Sequence, residues 1–133
     1  MAFVCMDLVL VYRRSAALVA VVVVVRILVA IEPQMYREVL AFHIRKQRPR
    51  SEVVLASAQT LQAEALRTKP HLIVADEVSA ELKEMVLLWM KLCRNDRLDA
   101  TVGDDGYWTI HDVSLQDLLA AVDKTEEELA HEA

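Results

Sequence analysis

Two acidic residues close an apolar run in "HLIVADE", Asp76 and Glu77, and a third, Glu32, follows another such run in "RILVAIEP". Carboxylates at the ends of adjacent buried strands stand where open α/β sheets place their ligands. Such a group can form an acidic pocket there, whereas the plainer reading has Asp76 end a strand in solvent or cap the helix after it. The second concentration of chemistry is cationic. Arg45, Lys46, Arg48 and Arg50, within "HIRKQRPR", can hold a polyanion or an acidic partner. The same charges suit the carboxyl end of a helix, where they complement its dipole. No aromatic residues interleave with them and no recognition helix follows, so the run does not read as a nucleic-acid surface.

Other chemistries are missing. His43, His71, His111 and His131 share no ligand spacing, and Cys5 and Cys93 lie in unrelated contexts, which argues against a metal site or a disulfide framework. Two glycines leave no material for a phosphate loop, and no Ser/His/Asp order is present. The pattern points away from an enzyme and toward a reducing, cytoplasmic setting. Net charge is -5, but residues 1–70 hold 10 Lys/Arg against 5 Asp/Glu, whereas residues 71–133 hold 5 against 15. Only the first half is placed to attract polyanions.

Regular elements must position these groups. The run "RILVAI", 26–31, has the length and continuity of a strand covered on both faces. Pro33 suits the first turn of a helix, in which Met35, Tyr36, Val39, Leu40, Phe42 and His43 recur at spacings of three and four and read as its core-facing stripe. "EVVLAS", 52–57, is a second strand, and Ser57 is placed to cap a helix through "AQTLQAEALRTK" with Leu61 and Ala65 on one face. "HLIVAD", 71–76, is the third strand. The alternation predicts a parallel sheet with right-handed crossovers. Ser79 caps a short helix over "AELKEM". "VLLWMKLC", 86–93, fits either a fourth strand or a continuation of that helix, and Met85 just before it, with Trp89 and Met90 within it, suits either a core or an exposed partner surface. "RNDR" reads as a turn, and "LDATV" and "YWTI" pair across "GDDG", 103–106, as a hairpin. Ser114 and Asp117 form a capping box ahead of a stripe of Leu115, Leu118, Leu119 and Val122.

The amino-terminal run admits three readings. Residues 1–25 are taken as an apolar extension outside the domain, with a mis-assigned start among its explanations; a membrane anchor and an added strand or helix are the others. As an anchor the run is short, and Arg26 inside it costs about 2.5–3.5 kcal/mol at a bilayer centre. Residues 26–124 then form one domain, and the acidic 125–133 a helix end or tail.

"RILVAIEP", followed one helix, one strand and one helix later by "PHLIVADE", resembles the response-regulator receiver domain over Arg26 to about Val78. The resemblance implies a flavodoxin-like, three-layer α/β fold with a mainly parallel sheet, ending here in a β-hairpin and an amphipathic helix. It also places Asp76 on the phosphoacceptor position. The family's acidic pair, which holds Mg²⁺, corresponds to Ile31 and Glu32. No hydroxyl matches in "LLWMKLCRND", and no lysine in "TIHDVS". The implied protein is a pseudo-receiver: a non-catalytic regulatory or interaction module of bacterial signalling, with weak Mg²⁺ binding, no other cofactor, and a partner that is another protein or a second copy. Its residual acidic pocket is Glu32 and Glu77 beside Asp76. The alternatives are a membrane-anchored α/β protein and a true phosphoacceptor acting through Asp76.

Overall fold

Within the apolar run that opens the sheet, the sole arginine has a structural task. In the computed structural model, which describes residues 23–94, 98–104 and 106–132, Arg26 begins strand β1 (Arg26–Ala30). Its Nε donates to the carbonyls of Thr68 and Lys69 at 3.1 and 3.2 Å, and its Nη2 to Lys69 at 3.1 Å. Those carbonyls close a helix whose cap, Lys69, is left-handed at φ 50°. A cation there satisfies acceptors that a helix end leaves unpaired.

The chain then alternates. After β1 come α1 (Gln34–Gln47), β2 (Glu52–Leu55), α2 (Leu61–Thr68), β3 (Leu72–Ala75), α3 (Ala80–Met85), β4 (Leu88–Arg94), β5 (Leu98–Gly103), β6 (Tyr107–Ile110) and α4 (Leu115–Glu132). They build one six-stranded sheet in the order β2-β1-β3-β4-β5-β6. The first four strands are parallel, with Ile27 opposite Val53 and Leu72, and Ile73 opposite Trp89. The last two are antiparallel, with Met90 opposite Val102. Chain length decides that switch: three residues join β4 to β5, and a parallel return needs a crossover of roughly a dozen or more. The sheet is therefore mixed. The run at 86–93 resolves as strand, with Trp89 and Met90 buried on opposite faces and Met85 partly exposed.

Two apolar layers flank the sheet. On one face Ile27, Val29, Ile31, Val74 and Met90 pack with Ile44 of α1 and with Leu118 and Val122 of α4. On the other, Leu28, Ile73, Ala75 and Trp89 pack with Leu61 and Ala65 of α2 and Leu82 of α3. Alternate residues of β1 and β3 fall in opposite layers, which is why these strands are continuously apolar. Val23 and Val25, from the segment read as an extension, are buried, and Glu52 N–H donates to the Val25 carbonyl at 2.9 Å. Residues 1–22 lie outside the described part, so the reading of them as extension, anchor or added element does too. Among the described residues no helix is long and apolar enough to cross a membrane.

Local signals hold in most places. Ser79 Oγ accepts from Leu82 N–H at 3.2 Å. Ser114 and Asp117 exchange the bonds of a capping box, at 2.9 and 3.3 Å. The turn at 103–106 joins β5 to β6, with Asp104 N–H on the Gly106 carbonyl at 2.9 Å. Ser57, by contrast, does not cap α2; it makes a turn with Thr60, the residue immediately before the helix.

The stripe on α1 is the larger correction. Met35, Tyr36, Val39 and Phe42 are 63%, 48%, 50% and 57% exposed, while Ala41 and Ile44 are fully buried. Two arginines make contacts consistent with this rotation. Arg37 reaches back to the Ile31 carbonyl at 3.2 Å, and Arg48, just past the helix end, pairs with Asp123 of α4. Positions 37, 41, 44 and 48 lie on one side of a 3.6-residue helix, the side that meets the sheet through Ala41 and Ile44, with Leu40 of the expected stripe packed beside them.

Candidate functional site at the carboxyl edge of the sheet

Strands β1, β3 and β4 run parallel, so their carboxyl ends share one edge, and the residues that follow them are Ile31 and Glu32, Asp76 and Glu77, and Arg94 itself. At this edge each carboxylate oxygen of Asp76 accepts a hydrogen bond. One carboxylate oxygen accepts the Glu32 backbone N–H at 2.8 Å, and the other accepts Arg94 Nη2 at 3.1 Å. The same Nη2 donates to the Glu32 carbonyl, and the guanidinium lies 5.4 Å from the centroid of the Tyr36 ring. Arg94 therefore links β4, the β1–α1 turn and the end of β3. The Asp76 and Arg94 side chains are 30% and 35% exposed, which makes this a screened pair at the surface.

The two glutamates turn elsewhere. Glu32 Oε2 accepts Arg37 Nη1 at 2.9 Å and the Ala58 N–H at 3.0 Å, which ties the β1–α1 turn to the segment after β2. Glu77 is 85% exposed and stands 3.8 Å from Lys91 Nζ. The acidic residues named from sequence thus share one sheet edge, but each carboxylate faces a different cation. Ile31 is 4% exposed and packs into the apolar layer. Among the described residues no group of three His, Cys, Asp or Glu side chains could hold a metal ion.

The chain matches no protein-family model, no curated protein and no solved structure. Its site must be argued from its own residues.

The basic run serves local architecture at three of its four positions. Arg45 Nη2 donates to the Val53 carbonyl of β2 at 3.0 Å. Lys46 lies 5.8 Å from the centroid of Phe42. Arg48 makes two bonds to Asp123, at 2.8 and 2.9 Å, and that carboxylate holds its guanidinium above the ordinary arginine range. Arg50 is half-buried in the turn before β2. These side chains point to separate partners and do not converge on one ligand position.

Arg94 is the site residue that sequence reasoning missed, because "RNDR" reads as a turn. A signal exists in hindsight: a cation ends the apolar run whose strand neighbours the one ending in Asp76. Recognising it requires knowing that β3 and β4 are adjacent and parallel.

Proposed function

We propose that this chain is a non-catalytic, receiver-like regulatory module that acts by binding another protein, with Asp76 serving as a structural anion and not as a phosphoryl acceptor. The observation that carries the reading is the engagement of both Asp76 oxygens by Arg94 and the Glu32 N–H. A carboxylate attacks a phosphoryl group beside a cation that neutralises the incoming charge and leaves the carboxylate free to move onto phosphorus. At this edge the cation is the protein's own guanidinium. Ile31 contributes packing where a metal-binding edge requires an oxygen, and the carboxylates of Glu32 and Glu77 are directed to Arg37 and Lys91. The strand order, the placement of α1 and α4 against one face, and an aspartate closing β3 support a flavodoxin-like ancestry. The antiparallel β5 is a departure from it. The exposed apolar side of α1 supports an interaction role in a cytoplasmic signalling protein.

Intact-mass spectrometry after incubation with Mg²⁺ and acetyl phosphate, quenched cold and acidic, tests the reading. The expected mass is unchanged. A stoichiometric gain of one phosphate, lost in Asp76→Asn, would overturn it and make the protein a phosphorylation switch.

A further inference from the structure

Between α1 and the start of α4, over the apolar layer containing Ile31 and Met90, lies a cavity of about 630 Å³. This is the size range of small-ligand sites, and it opens at the carboxyl edge of the parallel strands. Its walls are apolar: Ile31 and Met90 form part of the floor, Val39 and Leu40 line the α1 side, and Leu115 and Leu118 the α4 side. Arg94 is the one charged residue among those lining it. We infer that this cavity is a binding site for a small amphipathic carboxylate, with an aliphatic tail between α1 and α4 and its head on Arg94.

The guanidinium decides the sign of the head. Arg94 directs Nη2 to Asp76 and to the Glu32 carbonyl, and a guanidinium carries five N–H donors in a planar fork. Its Nε and Nη1 have no acceptor among the described residues; they lie on opposite sides of the planar group, and either can donate a single N–H to a second carboxylate. Tyr36 supports the guanidinium through its ring face. A neutral hydroxyl head can accept one of those N–H groups but brings no opposite charge, and a cationic head meets like charge. The tail is accommodated by what the rotation of α1 leaves uncovered. Met35, Tyr36 and Val39, each about half exposed or more, border the same cavity. An aliphatic chain there restores the dispersion contacts that apolar walls otherwise lack.

Isothermal titration of the full chain with decanoate, decanol and decyltrimethylammonium, each below its aggregation threshold, separates these contributions. One decanoate per chain should bind, about tenfold or more tighter than either other probe, as expected for hydrogen bonds to a charged group. Arg94→Met should remove the preference for decanoate over decanol. Val39→Trp, at a half-exposed position, should block all three by filling the space between the helices. Circular dichroism verifies that both variants remain folded. Failure of decanoate to bind, equal affinity for the three probes, or undiminished binding by Val39→Trp would overturn the assignment, including the case in which a protein segment is the sole occupant of this face.

Discussion

Arg48 and Asp123, 75 residues apart in the chain, are joined by two N–H···O bonds of 2.8 and 2.9 Å that tie the end of α1 to α4. Bidentate geometry makes this a stronger contact than a single-point surface pair, although solvent screens both side chains. Asp123→Ala should destabilise the protein by about 0.5–1 kcal/mol in urea unfolding, and less at high salt. The pH dependence has a definite sign. Asp123 raises the Arg48 pKa, so that arginine's contribution is fully present below its unfolded-state pKa and is lost only as pH rises through the folded one. Both lie far above neutrality. A moderate alkaline shift should therefore leave the Arg48 contribution intact.

The rotation of α1 can be tested by comparing two substitutions on one helix. Ile44 is fully buried and Phe42 is 57% exposed. Ile44→Ala should cost about 2–4 kcal/mol, whereas Phe42→Ala should stay within about 0.5 kcal/mol. Equal losses in urea denaturation would mean that α1 presents its wider apolar stripe to the sheet.

Glycine is required at one end of the β5–β6 hairpin and not at the other. A methyl group at Gly103 would overlap the Trp89 indole, while one at Gly106 meets nothing within 4 Å. Gly103→Ala should lower stability by about 1–3 kcal/mol through overpacking, and Gly106→Ala should be nearly neutral. Pairing Gly103→Ala with Trp89→Leu should recover part of the loss. Thermal melts of the three variants measure it.

At the opposite edge of the sheet from Asp76, Arg26 supports the end of α2. Arg26→Met keeps much of the aliphatic stem but removes the donors to Thr68 and Lys69. A loss of about 1–2 kcal/mol is expected, since hydrogen bonds from charged groups lie near or above the top of the usual range and these are partly exposed. Hydrogen exchange should show faster opening of amides in the last turn of α2 than of those in β3.

Ile31 provides a check on the acidic edge. Replacing it with Asp introduces a carboxylate into a position only 4% exposed, within the layer formed by Val74 and Met90. Ile31→Asp should destabilise the chain by about 3 kcal/mol or more, from lost packing and charge burial together. Added Mg²⁺ that restores the wild-type unfolding midpoint would show that a cation site can be assembled there after all.

The elements legible in the sequence were those encoded by short-range pattern. Continuous apolar runs marked β1 and β3 as strands covered on both faces, Ser79 and the Ser114–Asp117 pair marked helix starts, and the glycines at 103 and 106 marked a hairpin. Each signal is local because the hydrogen bonds or side-chain alternation behind it span only a few residues. The strand ends also placed Asp76 and Glu32 at one edge of the sheet. Periodicity, however, reports the spacing of apolar residues and not which side of a helix meets the core. On α1 the side that meets the sheet is the one bearing Arg37 and Arg48, whose partners Ile31, Glu32 and Asp123 lie in other parts of the fold. The run at 86–93 became a strand once β3 offered it a parallel neighbour and Gly103 made room for Trp89. Pairing Asp76 with Arg94, turning Glu32 and Glu77 away from it, and opening a cavity beside α1 all depend on contacts between distant segments. Only the assembled sheet brings those groups within a few ångströms, where charge and shape can select among arrangements that the chain order alone leaves equivalent.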